Sequence, residues 1–279
     1  MITDWDDAYA NTVHIEDGAL YPGQWAGRAE AFRETLRAEE RAEFDLVYGP
    51  AEREKLDLFH PPGKAKGLAV FVHGGFWMAF DKSSWSHLAA GALAHGWAVV
   101  MPSYMLAPQA RICEITRQVG AAVRFAAGRA AGPIRLAGHS AGGHLVTRMI
   151  CEDTPLPDEV LARIEHVVSI SGLHDLRPLM RTRMNQTLQL DEAEAAAESV
   201  ALLRPAGQCA ITCWVGSNER PEFVRQNDLL ANIWTGLGAE IQSRHADGRH
   251  HFDVIEDLAD PASALTQIFA GASNNGVPA

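Results

Sequence analysis

The stretch that decides the reading is Ile134-Arg135-Leu136-Ala137-Gly138-His139-Ser140-Ala141-Gly142-Gly143. An apolar strand runs into G-x-S-x-G, and a helical pattern over residues 142–152 follows. A sharp strand-to-helix turn of this kind holds its central Ser in a strained backbone, with the flanking glycines relieving the crowding. The Ser140 side chain is then expected above the sheet, with neighbouring amides at the positive end of the following helix. The pentapeptide alone recurs by chance. The strand before it and the helix after it single out Ser140 as a nucleophile. The plainer alternative, a Gly-rich turn cradling a phosphate, needs a Lys-Ser or Lys-Thr pair that does not follow here.

Upstream, His73-Gly74-Gly75-Phe76-Trp77 comes directly after the apolar run Leu68-Ala69-Val70-Phe71-Val72. Acyl transfer needs amide donors aimed at the oxygen that becomes negative during attack. Two consecutive glycines let the backbone turn its N–H groups toward a ligand without Cβ obstruction. The amides of Gly75 and Phe76, or of Gly74, are expected to join that of Ala141 as an oxyanion hole. Taken alone, the motif reads equally as a tight turn with Phe76 and Trp77 in the core.

A nucleophilic Ser needs a base and an orienting acid, which in this chain order follow it. Gly216-Ser217-Asn218-Glu219 follows a strand at 210–215, and Ala246-Asp247-Gly248-Arg249-His250-His251-Phe252 follows one at 240–245. Ser140, Glu219 and His251 therefore leave three different strands at one edge of the sheet, where such sites are built. Asp175 competes with Glu219 for the acid, and His250 with His251 for the base. His139 points away from Ser140 in the elbow and reads as a structural donor. His60, His87 and His166 read as packing or surface residues.

Strands are expected at 55–60, 68–73, 97–101, 134–138, 166–171, 210–215 and 240–245, several of them continuously apolar, as in a sheet covered on both faces. Helical stretches lie between them at 84–95, 112–128, 142–152, 158–164, 222–237 and 252–269. Ile115, Val119, Ala122, Val123 and Ala126 mark one apolar face of the second. This alternation predicts an α/β fold, one mostly parallel, doubly wound sheet with helices on both faces. An amphipathic helix is expected at 25–44. Residues 1–45 and the acidic, Ala-rich insertion 174–204 are candidates for a small helical cap on a domain spanning 46–271. The end, 272–279, reads as a flexible tail.

At 279 residues, 47% hydrophobic and 21% charged, the chain can bury its own core without disulfide or metal staples. Its net charge, 24 minus 35 or −11, and the lack of a basic cluster argue against a nucleic-acid partner. No apolar run approaches the ~18 residues of a membrane span. The acidic start, MITDWDDAYA, is unlike a secretory signal, so a soluble, cytoplasmic protein is expected. Cys113, Cys151, Cys209 and Cys213 form no C-x-x-C pair and read as free thiols. Adjacent His250 and His251 point apart and do not share a metal readily. No metal and no cofactor are called for; the partner is a small-molecule substrate, and the sequence leaves a homodimer open.

G-H-S-A-G-G, H-G-G-F-W and Tyr104-Met105-Leu106-Ala107-Pro108 together resemble the α/β-hydrolase superfamily, in the branch of hormone-sensitive-lipase-like esterases. Within it, the H-G-G-x-W form is similar to kynurenine formamidases (arylformamidases). Ser171-Gly172-Leu173-His174-Asp175-Leu176, Pro221-Glu222-Phe223 and the opening Trp5-x-x-x-Tyr9-x-Asn11 match as well. The acid is Glu here where many relatives carry Asp. The resemblance implies hydrolysis of N-formyl-kynurenine to kynurenine and formate, with Phe76, Trp77, Tyr104 and Trp25 as an aromatic wall for the amine side. A broad short-chain carboxylesterase, or a non-catalytic ligand-binding relative, is the alternative.

Overall fold

The computed structural model describes residues 2–271, so the expected tail at 272–279 lies outside the described residues. Eight strands form one sheet: β1 (Ala42–Val47), β2 (Lys55–Phe59), β3 (Leu68–Val72), β4 (Ala98–Pro102), β5 (Ile134–His139), β6 (Ile164–Ile170), β7 (Ala210–Gly216) and β8 (Ile241–Ala246). Their order is β1-β2-β4-β3-β5-β6-β7-β8. β2 runs antiparallel to both neighbours, and the remaining pairings are parallel. Every residue of β3 and β4 is buried, whereas β1 and β8 at the edges are partly open. That contrast explains why the central strands read as unbroken apolar runs.

Two-residue periodicity divides the core. Val70 and Val72 face one layer, with Ile115, Val119 and Val123 of the Ile112–Ala127 helix and Leu145 of the Ala141–Arg148 helix. Ala69 and Phe71 face the other, with Trp85, Leu88, Trp97 and Phe269. Helices on both faces give the doubly wound architecture.

Three expectations need correction. The helix expected at 25–44 runs instead over Tyr21–Ala38, and β1 follows it. Glu40 takes a left-handed conformation (φ 56°) that ends the helix, and Phe44 turns onto Phe59 with ring centroids 6.1 Å apart. An edge strand open to solvent has too weak an alternation to be told from the tail of an amphipathic helix. The helix expected at 252–269 is broken into a 3₁₀ turn, Glu256–Ala259, and a helix, Ala264–Ala270. Pro261 forces the preceding Asp260 into extended backbone. The stretch expected at 84–95 is 3₁₀ over Lys82–Ala89 before it continues as the helix Ala90–Ala94.

The N-terminal segment folds as short turns, Trp5–Tyr9, Thr12–His14 and Gly18–Leu20, ahead of the long helix. Tyr9 anchors it: its hydroxyl donates to Glu222 Oε1 at 2.8 Å, and its ring lies edge-on to Phe223 at 6.0 Å. The 174–204 insertion is a chain of short helical turns. Asp6 joins the two segments, accepting from the Arg183 amide at 2.6 Å and pairing with its guanidinium at 2.9 Å. Among the described residues, no helix is long and apolar enough to cross a membrane.

Candidate active site

Ser140 sits between β5 and the Ala141–Arg148 helix with φ 56° and ψ −117°, the strained turn that the glycine spacing predicts. Its amide is tied to the Ile170 carbonyl of β6 at 2.8 Å. The glycines are sterically required. A Cβ on Gly142 would stand 2.0 Å from the Val72 carbonyl oxygen, and one on Gly138 2.1 Å from the Gly142 carbonyl oxygen. Ser140 opens into a cavity of about 440 Å³ that His251 and the Gly75-Phe76 turn also line.

After β3 the chain makes a left-handed turn in which Gly75 (φ 106°), Phe76 (φ 50°) and Trp77 (φ 56°) follow one another. Bulky residues in this region cost roughly 1–2 kcal/mol each, strain kept where a site needs it. The amides of Met78 and Ala79 both close onto the Gly75 carbonyl, at 2.9 and 3.0 Å. By contrast, the amides of Gly74, Gly75, Phe76 and Ala141 have no acceptor among the described residues. A Cβ on Gly74 would meet Ser140 Cβ at 3.0 Å, so this loop lies directly against the serine. Orphan donors beside a strained Ser are what an oxyanion hole requires.

The aromatic wall differs from expectation. Phe76 and Trp25 line the cavity, together with Phe80, Trp85 and Phe252. Trp77 and Tyr104 do not. Trp77 is buried with its ring edge-on to His144 at 5.2 Å, and Tyr104 stacks on His73 at 4.4 Å and donates its hydroxyl to the His73 carbonyl at 2.9 Å. The left-handed turn splays consecutive side chains, so Phe76 goes to the cavity and Trp77 into the core beneath it. Tyr104 buttresses the loop from behind. Burial pushes the His73 imidazole down to about 4, so it remains neutral there.

His251 and Glu219 meet as the order of strands predicts. His251 Nδ1 lies 2.6 Å from Glu219 Oε2, and both side chains are almost wholly buried. A carboxylate only accepts, which puts the proton on Nδ1 and leaves Nε2 free to accept one. The other oxygen of Glu219 accepts from Ser171 Oγ at 2.5 Å and from the Gly216 amide at 2.9 Å. The His251 ring rests on Phe223 at 4.3 Å and beside His139 at 4.6 Å. His139 Nε2 donates to the His251 carbonyl at 2.9 Å, the structural role expected of it, although its ring borders the cavity. Burial holds its pKa well below the ordinary histidine value.

The competitors are occupied elsewhere. His250 Nε2 pairs with the Tyr21 hydroxyl at 3.1 Å, and its Nδ1 accepts from the amides of Phe252 and Asp253 at 3.2 Å. Asp175 is clamped by the Arg177 guanidinium at 2.8 and 2.9 Å. Sequence reasoning passed over Ser171, which takes φ 52° at the end of β6. The signal for it was its place at the head of the Ser171–Leu176 match, which had been given no role. Sequence reasoning also passed over Asp6 and Thr12 and gave Asn11, quoted only in the opening match, no place in the site; all three reach the cavity through tertiary folding.

Such a sheet, with a serine elbow, a buried His–carboxylate contact and unpaired amides at its carboxyl edge, defines an enzyme of the serine-hydrolase type. A family model described as the alpha/beta hydrolase fold matches residues 69–235, and the chain belongs to that family. It is similar to the kynurenine formamidase of Danio rerio, at 28% identity over 96% of this chain and 97% of that protein. The kynurenine formamidase of Salmo salar is 28% identical over 86% of this chain and 83% of that one. A crystal structure from Silicibacter sp. TM1040, provisionally described as a thioesterase, is 52% identical with a TM-score of 0.89, covering 95% of this chain and 98% of that one. The Pyrobaculum calidifontis esterase, 16% identical with a TM-score of 0.68 over 89% and 90% of the two chains, shares the fold.

Proposed function

We propose that the protein hydrolyses a small acyl amide or ester through Ser140, His251 and Glu219, and that its substrate is an arylformamide of the N-formyl-kynurenine type. The observation that carries the mechanism is the 2.6 Å contact between His251 Nδ1 and Glu219, behind an imidazole that shares a cavity with Ser140. His251 Nε2 takes the Ser140 proton as Oγ attacks the formyl carbon. The oxygen that becomes negative is met by the amides of the Gly74–Phe76 loop and Ala141. The intermediate then collapses: the C–N bond breaks, and the imidazolium returns its proton to the departing aryl amine. Water, deprotonated by the same imidazole, attacks the formyl-serine ester and releases formate and the free Ser140. Glu219 orients the ring and balances its charge in both steps.

The substrate reading draws on the aromatic lining of Trp25, Phe76, Phe80, Trp85 and Phe252 and on the likeness to formamidases along almost the whole chain. A formyl group demands little acyl space, leaving the cavity to an aromatic amine. A coenzyme thioester fits less well, because no Lys or Arg is among the described residues lining the cavity to meet its phosphates. The second reading, a short-chain carboxylesterase, is favoured by the apolar lining, which would also accept a simple aryl ester. Comparing kcat/KM for N-formyl-kynurenine and p-nitrophenyl acetate separates the two. The formamide should be preferred at least tenfold, about 1.4 kcal/mol in transition-state binding. Equal or better turnover of the ester makes the protein a carboxylesterase.

A further inference from the structure

The cavity carries polar side chains in two places. Ser140 and His251 stand at the reacting end, and Asp6, Asn11 and Thr12 on the N-terminal wall. Asn11 is only 7% exposed. It occupies the N-cap of the Thr12–His14 turn, where an Asn side chain ordinarily accepts from an amide two or three residues on, yet it makes no capping bond. Among the described residues its carboxamide has no hydrogen-bond partner, and it borders the cavity. Asn11 is not among the side chains whose polar atoms are both fully enclosed and unpaired, so its carboxamide keeps access to the cavity it borders and is placed to meet a ligand there.

Charge narrows the ligand. Asp6 adds a carboxylate to the same wall; its partner, the Arg183 guanidinium at 2.9 Å, is largely exposed and outside the described lining, which holds no Lys or Arg, and the chain carries a net charge of −11. Such a wall favours a cationic hydrogen-bond donor over an anion. Aromatic side chains, Trp25, Phe80 and Phe252 among them, supply apolar lining for a flat ring.

We propose that Asn11, supported by Asp6, forms a subsite for a primary ammonium head on the amine portion of the substrate, and so determines specificity. This deepens the arylformamide reading and rests on it. The Asn11 carbonyl accepts from the ammonium while the ring lies along the aromatic wall and the formyl group reaches Ser140.

The test pairs N-formyl-kynurenine with 2-formamidoacetophenone, the same aryl formamide and ketone without the amino-acid head. Asn11→Ala should raise KM for the first at least ~10-fold, leave kcat within about threefold, and change kcat/KM for the second less than about twofold. Asn11→Asp, which keeps an acceptor and the shape, should restore KM for the head-bearing substrate to within about threefold of wild type. Equal losses on both substrates, or no rescue by Asp, would make Asn11 a merely structural residue and overturn the proposal. Calorimetric binding of kynurenine and 2-aminoacetophenone to the protein separates this from the substrate reading. If formamides are not cleaved, yet kynurenine binds more tightly than 2-aminoacetophenone and loses that advantage in Asn11→Ala, the formamidase reading falls and the subsite stands. If formamides are cleaved but Asn11→Ala treats both pairs alike, the subsite falls and the reading stands. If kynurenine has no advantage over 2-aminoacetophenone and formamides are not cleaved, both are overturned.

Discussion

Replacing Ser171 should damage catalysis without touching any reacting atom. Its hydroxyl donates to Glu219 Oε1 at 2.5 Å in a fully buried position, leaving that oxygen only the Gly216 amide when it is removed. A buried hydrogen bond to a charged acceptor is worth ~1.5–3 kcal/mol. If Glu219 balances the imidazolium as proposed, most of this should appear in the rate. Ser171→Ala is expected to lower kcat/KM by ~10- to 100-fold. The backbone allows a control. Ser171 is held at φ 52°, a conformation in which a residue with a Cβ is strained by ~1–2 kcal/mol and glycine is not. Ser171→Gly loses the same bond but relieves that strain. It should therefore share the kinetic defect of the Ala variant while unfolding at a higher urea concentration, by ~1 kcal/mol. Steady-state kinetics and urea melts on the two variants read both quantities. Activity within twofold of wild type for Ser171→Ala would refute the reasoning. Full activity in the Gly variant alone would assign the effect to strain instead.

His251→Ala should reduce turnover nearly as far as Ser140→Ala, on the order of 10⁴-fold or more, and Glu219→Ala somewhat less, because the acid orients the base rather than moving its proton; equal activity of all three with wild type contradicts the mechanism. Tyr104→Phe removes the bond to the His73 carbonyl beneath the Gly74–Trp77 turn, so stability should fall by ~1 kcal/mol, with KM unchanged since Tyr104 lies outside the cavity lining. Acid should unfold the protein steeply. Burial pushes His73 down to about 4, His144 and His174 to about 3, and His139 well below the ordinary value. Depressed folded-state values mean the unfolded chain binds more protons, so this stability is present above ~pH 6.5 and is lost as pH falls. Near pH 5 His73, His144 and His174 alone weaken folding by ~4 kcal/mol per pH unit, against a total stability of ~5–15 kcal/mol. Urea midpoints measured from pH 7 to 4.5 check this; a flat profile contradicts it.

The parts of the fold that announced themselves are those whose burial is complete. β3 and β4 are covered on both faces and read as unbroken apolar runs, and β5 ended in a turn whose glycines cannot carry a Cβ. β1 escaped because an open edge leaves its residues only partly buried, and its one strong signal, Phe44, suits a helix face as well. That Ser140, Glu219 and His251 lie at one edge of the sheet was legible because each follows a different strand, β5, β7 and β8. The cavity wall was legible only in part, in Phe76 and Trp25 but not in Trp77 and Tyr104. Whether Phe76 or Trp77 faces the substrate depends on a left-handed turn two residues long, and Asn11 reaches the site only because Tyr9 docks on Glu222 and Phe223.

The central claim is that Ser140 acts as a covalent nucleophile activated by His251. Reaction of the intact protein with a fluorophosphonate probe, followed by mass-spectrometric location of the adduct, tests it most directly. The structure predicts a single adduct on Ser140, absent from Ser140→Ala and formed orders of magnitude more slowly in His251→Ala. Hydrolytic activity that persists with no adduct, or an adduct on any residue other than Ser140, would contradict it.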